Sequence, residues 1–200
     1  METIEAFNQA IFLHVNGTPA TPHWLIVTSV FIANYTIWVV PVMLTCMWLA
    51  GGDSRRGSAI HATFVGFVAL GINQLIGMAW YHPRPFAIGL GHTFLTHAPD
   101  SSFPSDHATL LSAISFTFFY RGKRLVGMLA LAVDIAVAWA RVFVGVHFPF
   151  DMAGAAMIAW LTYVLSLPLW RLGGAAFSRA LIAVYRKVLA LPIGRGWLRP

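Results

Sequence analysis

Four short polar segments interrupt an otherwise apolar chain: His82-Pro83-Arg84-Pro85, Pro104-Ser105-Asp106-His107, Arg141, and His147 with Asp151 four residues later. Arg84 and Arg141 carry planar, permanently charged donor forks that match phosphoryl oxygens. Pro104 and Ser105 precede an apolar run as an N-cap precedes a helix, which leaves the backbone N–H groups near 105–107 free to hold an anion. The Ser105 hydroxyl is one more donor. His147 and Asp151 have the types of a nucleophile and its orienter, because a carboxylate that holds one imidazole nitrogen as N–H leaves the other with a lone pair. That lone pair can attack phosphorus. His107 can give a proton to the leaving oxygen and then take one from water. Together these groups suit phosphoryl transfer by two in-line displacements through a phosphohistidine, with no metal or other cofactor.

Such residues need a scaffold that brings them to one place. With 58% hydrophobic and 10% charged residues, the chain lies far from soluble domains, in which about a quarter of residues are charged. It reads as a membrane protein. Five apolar stretches, at about 24–50, 58–80, 107–120, 125–145 and 152–170, reach or approach the roughly 20 residues that cross the hydrocarbon core as a helix. The third is short, so it begins within the Pro-Ser-Asp-His segment or lies at a thinner, protein-lined edge. The expected fold is an all-α polytopic membrane bundle of five to six transmembrane helices plus an N-terminal amphipathic helix, in a single unit over 1–200. The motif core covers about 70–155. Lone Cys46 excludes an intramolecular disulfide, and no Cys/His spacing resembles a zinc framework.

In a soluble protein the net charge of +6 would suggest nucleic acid, but here the basic residues are topology signals and no nucleic-acid partner is expected. Arg55 and Arg56 follow the first stretch, Arg121, Lys123 and Arg124 the third, and Arg171, Arg179, Arg186, Lys187, Arg195 and Arg199 the fifth. With five crossings all three groups share one side, which the positive-inside rule makes cytoplasmic. Arg84, His107, Arg141, His147 and Asp151 then face the exterior. Residues 1–20 place Ile4, Phe7, Ile11, Phe12 and Val15 at near-helical spacing, as a surface helix that covers the site entrance would. Residues 171–200 read as a basic interfacial tail after a hinge at Gly173-Gly174.

Other polar residues are assigned by position. The 81–103 loop is long enough to expect a function. His92 and His97 within it lack motif partners, so they read as solvated or substrate-gating residues rather than catalytic ones. A metal site from His82, His92 and His97 finds no support in spacing. Asp134, in the middle of an apolar stretch, needs a protein partner. Asn73 or Gln74 on the second stretch is the expected one.

These residues resemble the three-part signature of the type-2 phosphatidic-acid phosphatase superfamily. Arg84-Pro85 matches the end of its first motif, Pro104-Ser105-Asp106-His107 its Pro-Ser-Gly-His motif, and Arg141, His147 and Asp151 its Arg-x5-His-x3-Asp motif. The resemblance implies a metal-independent phosphatase with His147 as nucleophile, Asp151 as its partner and His107 as acid. Arg84, Ser105, Arg141 and the backbone N–H of Asp106 then bind phosphate. Three positions depart from the pattern. Gly77 stands where the family has a lysine, Asp106 where it has glycine, and Ala140 where it has serine. His82 either replaces the lysine in part or is a solvated loop residue. Asp106 either caps its helix or pairs with an arginine.

The phrases at 100–107 and 139–151 are similar to the bacterial undecaprenyl-diphosphatase branch associated with bacitracin resistance. This implies hydrolysis of the terminal phosphate of a polyprenyl diphosphate carrier lipid, on the outer face of the bacterial inner membrane, in support of peptidoglycan synthesis. Membrane lipids and a lipid diphosphate are the partners implied. Alternatives with the same chemistry are a phosphatidic-acid or phosphatidylglycerol-phosphate phosphatase or a lipid phosphotransferase. A different class is a non-catalytic anion-binding or transport protein, against which the His107, His147 and Asp151 set argues. Oligomeric state is not legible in the sequence.

Overall fold

Apolar runs of this length cannot leave backbone polar groups unpaired in hydrocarbon, so they fold as helices. The computed structural model describes residues 2–200, and the regular elements among them are all helical. They are α1 (Glu2–Val15), α2 (His23–Tyr35), α3 (Val39–Ala50), α4 (Asp53–Ala79), α5 (Asp106–Tyr120), α6 (Arg124–Phe143), α7 (Pro149–Leu169), α8 (Ala175–Val188) and α9 (Ala190–Gly194). Four stretches are long and apolar enough to cross a membrane: His23–Ala50, Asp53–Ala79, Arg124–Phe143 and Pro149–Val188.

The expected third crossing is α5, whose 15 residues rise only about 22 Å. It does not lie at an edge. It packs against α4, α6 and α7, and its Ala113, Ile114 and Phe118 are wholly buried, so protein rather than lipid surrounds it. Gly127 of α6 lies against the Phe119 backbone, where a Cβ would overlap main-chain atoms. The absent side chain lets α5 and α6 approach closely.

Two expected continuities differ in detail. The first crossing is interrupted by a 3₁₀ turn at Thr36–Trp38. Pro41, in the first turn of α3, has no N–H to donate, and its ring opposes the Ile37 carbonyl. Conversely, Gly173-Gly174 is not a hinge that breaks the chain's path. Trp170–Gly174 forms a single π turn that leads directly into α8. Pro168 removes a hydrogen bond just upstream, and Gly174 leaves room for the Trp170 ring against its Cα.

The two ends of the bundle are built differently. At the basic end, wholly buried Arg56 donates to Trp48 O (2.9 Å), Arg199 O (2.7 Å) and Pro200 O (2.6 Å) and stacks on Tyr185. Arg186 of α8 pairs with Asp53 at 2.9 Å. These contacts hold the tail against α3 and α4. At the opposite end α1 lies across the mouths of α6 and α7, with Phe12 edge-on to Phe148. Buried Asn16 donates to Phe143 O and His92 O, each at 2.9 Å, and accepts from His92 N at 2.7 Å.

Asp134 is buried but not paired as expected. Ser112 Oγ of α5 donates to its Oδ2 at 2.5 Å. Asn73 and Gln74 are committed elsewhere: Asn73 Nδ2 donates to Asp106 Oδ1 and Thr109 Oγ1, both at 2.9 Å, and Gln74 Nε2 to Asp106 Oδ2 at 3.2 Å. The face of α6 that carries Asp134 meets α5, which places Ser112 rather than α4 beside it.

Candidate active site

The segment between α4 and α5 folds back over the helix ends and delivers Arg84 to the interior. Arg84 is 4% exposed. It donates to Asp100 Oδ1 (2.8 Å), Val146 O (2.9 Å) and Ser101 O (3.3 Å), and it meets His147 Nε2 at 3.0 Å. Four partners fix the fork with one edge against the imidazole.

His147 stands in the short link between α6 and α7, and Asp151 one turn into α7 accepts at Oδ2 from three donors. Phe148 N lies at 2.7 Å, Ser102 Oγ at 2.5 Å and His147 Nδ1 at 3.2 Å. With the Nδ1 proton directed at Asp151, the Nε2 lone pair faces the Arg84 N–H. Burial, and then the charges of Arg141 and Arg84, hold the His147 pKa well below the usual imidazole value. The ring is therefore neutral at neutral pH. Gly145 makes this link possible. Its φ is +83°, and a Cβ there would collide with His92 O.

Arg141 comes from the last turn of α6 and is 2% exposed. It donates from one Nη to Ala33 O and from the other to His97 Nε2, each at 3.1 Å. Its Nε has no partner. Ser105 occupies the N-cap of α5, yet its hydroxyl makes no capping bond and is also buried without a partner. The first backbone bond of α5 runs from Thr109 N to Ser105 O, which leaves the amides at 106–108 outside the helical ladder. These unpaired donors and two arginines form a set that an anion satisfies.

A cavity of about 280 Å³ opens among these groups. Arg84, His97, His107, Arg141 and His147 line it, with Gly77, Asp100 and Asp106 completing the rim. Residues 58–172 match the PAP2 superfamily, more than half of the chain. The chain belongs to the PAP2 superfamily. YbjG of Escherichia coli K12, provisionally named an undecaprenyl-diphosphatase, is 34% identical over 98% of this chain and 99% of its own. BcrC of Bacillus subtilis, named an undecaprenyl-diphosphatase, is 34% identical over 76% of this chain and 78% of its own. Two crystal structures share the fold. LpxE of Aquifex aeolicus has a TM-score of 0.65 at 21% identity, over 81% of this chain and 95% of that one. A PAP2-type phosphatidylglycerolphosphate phosphatase of Bacillus subtilis has a TM-score of 0.63 at 18% identity, over 82% and 85%. The protein is thus a multi-pass membrane lipid phosphatase.

In this PAP2 protein the three motif segments converge on one cavity. His82 stands beside the cavity rather than in it, with Nδ1 4.0 Å from Asp151 Oδ1 and Nε2 3.5 Å from Glu5 of α1. The carboxylate of Asp106 neither caps α5 nor pairs with an arginine. It accepts from Asn73 and Gln74, whose amides turn its charge toward α4. At Gly77 the side of the cavity is closed by Ser101, 3.4 Å from where a Cβ would stand. Three residues at the site have no motif position. Ser102 donates to Asp151, Asp100 pairs with Arg84, and His97 accepts from Arg141. Burial, and the flanking charges of Arg84 and Arg141, depress the His97 pKa despite the opposing Ala98 carbonyl and Asp100. For Ser102 the only sequence signal is its place three residues before the motif serine.

Proposed function

We propose that the protein hydrolyses the terminal phosphate of a polyprenyl diphosphate, with undecaprenyl diphosphate as substrate, on the outer face of the bacterial inner membrane. The observation that carries this reading is the convergence of a neutral, carboxylate-oriented His147 with Arg84, Arg141 and His107 on one cavity, at the start of α5 where the Ser105 hydroxyl is unpaired. Identity to relatives named undecaprenyl-diphosphatases over most of the chain supports the substrate. The cavity volume suits a phosphate head group, while the isoprenoid chain remains in lipid or between helices.

In this mechanism the terminal phosphoryl group displaces Nε2 of His147 from the Arg84 N–H and takes over that donor. The Nε2 lone pair forms the N–P bond as the P–O bond to the leaving phosphate breaks. The departing oxygen keeps the electron pair, and His107 protonates it where its basicity requires. Asp151 balances the charge that develops on the imidazole. Water then attacks the phosphohistidine while His107 accepts its proton, and the N–P electrons return to Nε2 as inorganic phosphate forms. Arg84, Arg141, Ser105 and the amides at 106–108 hold the equatorial oxygens in both steps. This route needs no metal ion.

The deciding experiment measures phosphate release by purified protein in EDTA from undecaprenyl diphosphate, phosphatidic acid and phosphatidylglycerol phosphate. The diphosphate is expected to have the highest kcat/KM, and preference for a glycerolipid would overturn the substrate assignment. With terminally labelled diphosphate, acid-labile label is expected on wild-type protein and none on His147→Ala. Label retained by that variant would move the nucleophile elsewhere.

A further inference from the structure

A second cavity of about 650 Å³, which opens toward the basic end of the bundle, lies between α3 and α6. Its floor is Leu111 and Ile114 of α5, and Met43, Met47 and Val133 stand along its sides. Leu125 and Leu129 on its rim are 66% and 59% exposed. The groove covers α6 from Val133 to Arg124, roughly two and a half turns. It closes on three cations: Arg55 at the start of α4, and Lys123 and Arg124 at the start of α6.

Among the described residues no carboxylate pairs with these cations. Asp53, the carboxylate at this end, is held by Arg56 at 3.5 Å and Arg186 at 2.9 Å. The neighbouring Arg121 is turned away toward Ser58 and His61, each at 3.3 Å. An apolar trough in the hydrocarbon that ends in three unpaired positive charges at head-group level is complementary to one kind of molecule. We infer that this groove binds an anionic phospholipid of the leaflet opposite the active site, with an acyl chain along α6 and its phosphate on Arg55, Lys123 and Arg124. A zwitterionic lipid fills the trough equally well but brings no net charge to the cations, and a free anion meets the cations but leaves the trough empty. The selectivity therefore resides in both parts together.

Basic residues near an anionic membrane surface contribute about fivefold each to association. The test equilibrates purified protein in neutral detergent with equimolar dioleoylphosphatidylglycerol and dioleoylphosphatidylcholine and counts bound lipids by native mass spectrometry. Wild type is expected to retain the anionic lipid in excess. Arg55→Gln, Lys123→Gln and Arg124→Gln are each expected to lower that excess about fivefold, and the triple variant to abolish it while keeping wild-type phosphatase turnover in detergent. Leu129→Trp, which narrows the trough with all three cations intact, is expected to weaken retention of the anionic lipid. Equal retention of both lipids by wild type overturns the inference. So does a preference that survives the triple replacement but is lost in Arg84→Gln, which would place the lipid in the active site. Complete displacement by inorganic phosphate would show an anion site without a lipid trough, and equally overturn it.

Discussion

Asp151 accepts three hydrogen bonds on one oxygen, and the Ser102 hydroxyl is the one of the three that comes from outside the α6–α7 link. Ser102→Ala leaves the carboxylate freer to rotate away from His147 Nδ1. A lost bond to a charged group is worth about 1.5–3 kcal/mol, so kcat is expected to fall about tenfold or more with KM little changed. A rise in KM at constant kcat would assign Ser102 to substrate binding instead. His107 divides substrates by their leaving groups. The leaving group of a diphosphate is a phosphate of low proton affinity, whereas an alkoxide must be protonated as it departs. His107→Ala is therefore expected to slow monoester cleavage more than diphosphate cleavage, and equal losses would remove the acid role. His147 also leaves a mark on stability. Burial lowers its folded pKa below the unfolded value of about 6.5. The unfolded chain then binds the extra proton as pH falls through that value, so stability is intact above it and is lost below it. Unfolding midpoints in detergent from pH 8 to 5 are expected to drop less steeply for His147→Gln than for wild type. Identical slopes would place the effect on other histidines.

Helices set where each of these groups stands, and one buried acid links the scaffold to the site. Asp134 lies two turns before Arg141 on α6 and receives its hydrogen bond from Ser112 of α5, the helix whose first turn carries His107. Asp134→Ala leaves the Ser112 hydroxyl buried without its acceptor, at a cost of about 1–3 kcal/mol. Asp134→Asn keeps an acceptor oxygen and is expected to recover most of that loss in thermal unfolding. A loss as large in the asparagine variant would show that an acceptor oxygen alone does not hold the contact. The sequence makes the need for a partner plain, since an acid within an apolar run must face protein. It does not say which partner, because that depends on the rotation of α6 about its axis. The same limit explains Asp106. Its type suggests a cap or an ion pair, but the lateral placement of α4 supplies two amides first. Short-range spacing is legible, as for His147 in the α6–α7 link and Asp151 in the first turn of α7. Contacts between helices are set by packing that no local pattern encodes.

At the scale of the whole molecule, hydropathy and charge carry most of the architecture. The apolar runs become helices, eleven basic residues fall outside the active-site end, and three motifs distant in sequence meet in one cavity. What escapes the sequence is the loop from Trp80 to Ser105, which has no period to read. Its fold brings Asp100, Ser102 and His97 onto Arg84, Asp151 and Arg141. The burial of α5 escapes too, because a 15-residue run looks like a deficient crossing until its neighbours are seen around it. The same asymmetry predicts an orientation with the cavity outside. Exposed Thr93 lies in the loop at the active-site end and exposed Lys187 on α8 at the basic end. In a Cys46→Ser background, Thr93→Cys is expected to react with a membrane-impermeant maleimide in intact cells, while Lys187→Cys reacts only after permeabilisation. The reverse pattern would put the cavity in the cytoplasm. The protein would then act on a lipid phosphate before its export rather than after its release outside, and charge bias would have misreported the direction of every helix at once.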